Sequence, residues 1–128
     1  MKLNTENIGK LYLVSFTLVE SNKRVWKMGL HRGSDIMDRF RKELFEGIIK
    51  DLKPWISVWV ANDYLELTEK QCFDEIVKVF GGYKNRFHNF WLPKMVNGLT
   101  EMREYNYEEI QYAYKMLEKK GNRYKQTI

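Results

Sequence analysis

The sequence predicts an α+β fold, a small three-stranded and mainly antiparallel sheet flanked by helices in the order β-β-α-β-α, with one more helix at the end. Three observations carry this. Residues 10–30 read as two strands joined by a polar turn. Two long segments, 35–52 and 66–80, repeat apolar residues at helical spacing. Between them, "PWISVWVA" (54–61) is the most strand-like run in the chain.

The elements follow in order. "KLYLVSFTLV" (10–19) is rich in β-branched and aromatic residues, "ESNK" (20–23) has turn composition, and "RVWKMGL" (24–30) is the partner strand of a hairpin. Alternation sets Tyr12, Val14 and Phe16 on one face, with Leu11, Leu13 and Ser15 on the other. Ser34 or Asp35 can cap a first helix reaching Leu52. Its Ile36, Phe40, Leu44, Ile48 and Leu52 recur every four positions, and Pro54 blocks continuation. A second helix carries a Thr68–Gln71 capping box, an apolar face of Phe73, Ile76, Val77 and Phe80, and a left-handed C-cap at Gly81. "YKNRFHNFWLPKM" (83–95) is irregular. "NYEEIQYAYKMLEKKG" (106–121) is a third helix, with Asn106 and Glu109 as its capping pair and Gly121 as its stop. With no linker or repeat, residues 1–128 form one domain, a core over about 10–93 and a helical extension over 94–128.

Composition narrows the function classes. No apolar run is long enough to span a membrane, and "MKLNTENIGK" lacks the apolar core of a signal peptide. The single cysteine, Cys72, rules out an intrachain disulfide and a cysteine-based zinc cage, so a reducing cytoplasm is the default. A net charge of +5 favours a polyanionic partner. Cations gather in three places: Lys23, Arg24, Lys27 and Arg32 at the hairpin, Arg41 and Lys42 on the first helix, and Lys84 and Arg86 among the aromatics of 83–91. Basic residues interleaved with aromatics suit phosphate contacts plus base stacking, although Phe87, Phe90 and Trp91 read better as core residues, with only the cations facing solvent.

At this point the chain resembles the GIY-YIG nuclease superfamily, in the phage and bacterial branch whose second motif reads lysine–apolar–glycine. Lys10-Leu11-Tyr12 sits at the Gly-Ile-Tyr position and Lys27-Met28-Gly29 at the Tyr-Ile-Gly position. Arg39 resembles the arginine of the first helix, and Glu75, five residues before Phe80, the carboxylate of the second. "RFHNFWLP", with Asn89 and Trp91, resembles the closing segment. The resemblance covers about residues 10–93. It implies a metal-dependent endonuclease that hydrolyses DNA phosphodiesters, encoded by a phage or mobile element and working in the host cytoplasm. In that scheme Tyr12 orients the attacking water and Glu75 holds Mg²⁺ or Mn²⁺. Arg39 clamps the phosphate, unless it is a surface arginine paired with Asp35 or Glu43, and Arg41 competes for the role. Lys27 serves as base or phosphate ligand. His31, with an ordinary pKa suited to proton transfer near neutrality, is either a proton carrier or a turn histidine. Gly29 lets substrate backbone approach. Lysines at positions 10 and 27 depart from the motif, and they motivate the alternative: a catalytically degenerate module that binds nucleic acid or a host protein.

Overall fold

The computed structural model describes residues 9–31, 36–60, 65–81 and 102–123. Eight elements follow one another: β1 (Gly9–Leu18), β2 (Lys23–His31), α1 (Ile36–Phe45), β3 (Ile49–Val60), α2 (Leu65–Phe80), β4 (Met102–Glu104), α3 (Tyr107–Lys120) and β5 (Asn122–Arg123). The fold is α+β, and every strand pairing is antiparallel.

The sheet has five strands rather than three, in the order β4-β2-β1-β3-β5. The three expected strands form its centre. The two edge strands, three and two residues long, are too short to show alternation in a sequence. Each face of β1 supports its own core. Leu11 and Leu13, with Trp26, Met28, Ile56 and Val58, pack against Cys72 and Ile76 of α2 and Ile110, Ala113 and Leu117 of α3. Tyr12, Val14, Phe16 and Leu18, with Val25 and Ile49, pack against Ile36 and Phe40 of α1. The sheet therefore separates α1 from α2 and α3, and the alternation read along residues 11–16 holds.

The first helix stops at Phe45, seven residues before the expected end at Leu52. Gly47, at φ +71°, adopts the left-handed conformation that glycine tolerates. The bonds Gly47 N–H to Leu44 O (3.2 Å) and Ile48 N–H to Glu43 O (2.9 Å) close a Schellman cap. The four-residue apolar spacing runs on through Ile48 and Leu52 because β3 returns to the core that α1 covers. Pro54, expected to end a helix, lies inside β3. It pairs with Val14 at a register shift that leaves Trp55 as a bulged residue, and a second shift follows near Asp51, at φ +54°.

The second helix begins at Leu65, so Thr68 is a buried helical residue and not a cap. Gly81, at φ +90°, ends it as expected. The third helix matches its reading. Asn106 Oδ1 accepts from Glu109 N–H at 3.1 Å, while the Glu109 carboxylate turns inward. Its Oε1 accepts from Trp26 Nε1 (3.2 Å) and from Arg103 Nε (2.9 Å). Arg103, wholly buried, also donates to the carbonyls of Gly81 and Phe80, tying β4, α3 and the C-terminus of α2 together. No helix among the described residues is long and apolar enough to cross a membrane.

Candidate functional site

Strand register assembles part of the expected site. Tyr12 faces Gly29 across β1 and β2, Val14 faces Lys27, and Lys10 faces His31. On β3, Ser57 lies opposite Tyr12. Alternation sends Lys10, Tyr12, Lys27, His31 and Ser57 to the α1 face. This end of an otherwise apolar face is polar.

At its centre Lys27 Nζ donates to the Tyr12 hydroxyl at 2.9 Å, with the two residues 2% and 1% exposed. The ammonium also lies 5.1 Å from the Tyr12 ring centroid. A buried lysine needs such partners, because an unmet ammonium costs several kcal/mol (roughly) in a low-dielectric site. Lys27 occupies the lone pair of the phenol oxygen, so the hydroxyl proton is directed elsewhere and can be donated. Gly29 makes the pair possible. A Cβ there would lie 2.5 Å from the Tyr12 oxygen and 2.8 Å from Lys27 Nζ. The glycine accommodates a tyrosine from within the chain, which differs from the expected close approach of substrate backbone.

Helix α1 roofs this face. Phe40 meets the Tyr12 ring edge-on at 5.6 Å. Arg39, about a quarter exposed, pairs with Glu43 at 3.7 Å. Glu43 is buried, and its second carboxylate oxygen accepts no hydrogen bond among the described residues. Arg41 is tied to Asp38 on the exposed side of the helix, where Lys42 is also exposed.

Glu75 does not join this group. It is exposed on α2, on the other side of the sheet. There it lines a groove of about 350 Å³ between α2 and α3, with Tyr112, Lys115, Met116, Lys119 and Lys120. Three lysines around one carboxylate oppose a divalent cation by like charge, so these residues do not fit Mg²⁺ or Mn²⁺. Below the groove, burial pushes the Cys72 thiol up to about 11, partly countered by Lys120 and reinforced by Glu75 and Glu69.

The remaining cations divide. Lys23 is exposed at the hairpin end. Arg24 is committed to its own sheet. Nη1 donates to Thr17 Oγ1 and to the Asp51 carbonyl, and Nη2 to Ser15 Oγ, each at 3.1 Å. Arg32, Lys84, Arg86, Asn89 and Trp91 lie outside the described residues.

Sequence reasoning missed Lys10, Ser57 and Glu43 as members of the polar face, and Arg103 with Glu109 as its counterpart across the sheet. For Lys10 and Ser57 the signal was available, since both fall in phase with Tyr12 once β1 and β3 are paired. Comparisons with protein-family profiles, curated proteins and solved structures return no match for this chain.

Proposed function

We propose that this chain is a nucleic-acid-binding module with a GIY-YIG-like β-β-α-β-α core that does not cleave through a Glu75-bound metal. One observation carries the second half of the reading: the Tyr12–Lys27 pair and Glu75 lie on opposite faces of the sheet. A metal-assisted hydrolysis needs its carboxylate, phosphate clamp and water-orienting group around one phosphate. Support for a polyanionic partner comes from the net charge of +5, the exposed Lys23, Arg41 and Lys42, and the three lysines of the α2–α3 groove. Buried as they are, Tyr12 and Lys27 serve in this reading to lock β1 to β2 beneath α1.

A second reading, the metal-dependent DNA endonuclease, is favoured by the convergence of Tyr12, Lys27, Gly29 and His31 on the face that α1 covers with Arg39. In that reading Tyr12, with Lys27 on its oxygen, donates or orients at the phosphate, and another carboxylate replaces Glu75.

Fluorescence anisotropy on a labelled DNA duplex at stepped salt tests the binding function. The expected affinity falls roughly tenfold or more between 50 and 200 mM salt, as a few released counterions require. No measurable affinity at low salt refutes the reading and leaves a protein-binding domain.

A further inference from the structure

A second surface, which neither reading uses, lies on the α3 side of the sheet beside the start of that helix. Tyr107, the first residue of α3, is 57% exposed, and Tyr105, just after β4, is 37% exposed. Trp55 projects to this side because the bulge in β3 re-aims it onto the face that carries Ile56. Its ring meets Tyr107 at 6.2 Å and 64°.

Each of two rings carries a cation. Lys53 Nζ stands 3.8 Å from the Trp55 centroid, and the Arg24 guanidinium 5.5 Å from that of Tyr105. The rings are held from below. Trp55 Nε1 donates to Ser15 Oγ at 3.0 Å, the same oxygen that receives Arg24 Nη2, and Arg24 is fixed in turn by Thr17 and the Asp51 carbonyl. Tyr105 N–H donates to the Arg24 carbonyl at 2.9 Å. The platform therefore stands on paired strands and pays little ordering entropy when a ligand arrives.

We infer that Tyr105 and Tyr107, backed by the half-buried Trp55 and with Lys53 and Arg24 over the Trp55 and Tyr105 rings, form a stacking platform for single-stranded nucleic acid. The exposed Tyr105 and Tyr107 rings accept unpaired bases of any sequence, and the exposed Lys53 meets the backbone beside them, while Arg24 stays bound to its sheet. A duplex keeps its bases stacked on one another and offers such rings nothing. The cations at the rings, on a chain of net charge +5, favour a polyanion over an apolar protein surface. The inference deepens the proposed function by naming the strand state and the place of contact, and it rests on that reading.

The test is binding of a labelled oligothymidylate and of a duplex of equal length by the full chain and by Tyr107→Ala, Tyr107→Phe, Lys53→Ala and Lys70→Ala. Lys70 is exposed on α2 and paired with Asp74, so its variant controls for the loss of one charge. Tyr107→Ala is expected to weaken oligothymidylate binding roughly 5- to 100-fold, the range for one lost stack, and to leave duplex affinity unchanged. Tyr107→Phe keeps the ring and retains the affinity. Lys53→Ala weakens binding and lowers the salt slope by about 0.7, one phosphate's share on a single strand, whereas Lys70→Ala does neither. Equal oligothymidylate affinity for Tyr107→Ala and the parent overturns the inference while duplex binding leaves the proposed function standing. Equal losses on both ligands overturn the single-strand assignment. Absence of affinity for either ligand overturns both.

Discussion

Replacing Gly29 with alanine tests whether the Tyr12–Lys27 centre is as tightly built as its geometry indicates. The added methyl would lie 2.5 Å from the Tyr12 oxygen, 2.7 Å from its Cζ and 2.8 Å from Lys27 Nζ, where ordinary contact begins at 3.4 Å. The neighbours would have to give by up to about 0.9 Å. Neither has slack, because the Tyr12 ring is buried against Phe40 and Lys27 is buried beside it. Overpacking of this kind costs about 1–3 kcal/mol. Alanine also restricts the unfolded chain, which returns about 0.4–1 kcal/mol. The net loss is about 1–2 kcal/mol. With an unfolding entropy of about 2.1 cal/mol/K per residue, that lowers Tm by roughly 4–8 °C for a chain of this length. Thermal and urea melts followed by circular dichroism measure it. The same substitution in a Tyr12→Phe background is expected to cost less, because the nearest clashing atom is gone, giving a measurable coupling between the two sites. A Gly29→Ala protein as stable as the parent in both backgrounds refutes the packing described here.

Other expectations concern the opposite face. Glu109→Ala leaves Arg103 buried without its carboxylate and takes the acceptor from Trp26, so urea melts are expected to show a loss of about 3–5 kcal/mol. Cys72, wholly buried and with its thiol pushed up to about 11, is expected to resist alkylation at pH 8 until urea unfolds the chain; labelling of the folded protein at the rate of a free thiol contradicts that. Because the folded thiol holds its proton to higher pH than the unfolded one, with an ordinary value of 9.0, its contribution is full below pH 9 and is lost as pH rises toward 11. Stability should therefore fall more steeply over that window in the parent than in Cys72→Ala, as pH-stepped denaturation would report.

The sequence made the centre of the fold legible where periodicity was strong. Residues 11–16 alternate cleanly because each face of β1 meets a different helical layer, and Asn106 signals its cap three residues ahead of Glu109. The end of α1 was hidden by coincidence. Ile48 and Leu52 continue the helical spacing, and their return to the same core is set by the Gly47 turn, a tertiary event. The side to which half-buried Trp55 projects was unreadable, since a bulge shifts the phase of β3 without any mark in a run of apolar residues.

The candidate site divides the same way. Tyr12, Lys27, Gly29 and His31 were placed together by strand pairing, which short motifs encode well. Arg39 is three-quarters buried beside Glu43 on α1, while Arg41 pairs with Asp38 in solvent. The position of Glu75 depends on which side of the sheet α2 crosses, and neither helix periodicity nor the motif around Phe80 encodes that choice. Arg24 looked like a free cation because its three acceptors and ring partner come from three other segments of the chain.

The most direct test of the account is plasmid nicking in Mg²⁺ or Mn²⁺ by the parent and by Glu75→Ala, run beside duplex binding. Salt-sensitive binding by both proteins is expected, with no Glu75-dependent nicking. Metal-dependent nicking by the parent that Glu75→Ala abolishes, with binding intact, would contradict it.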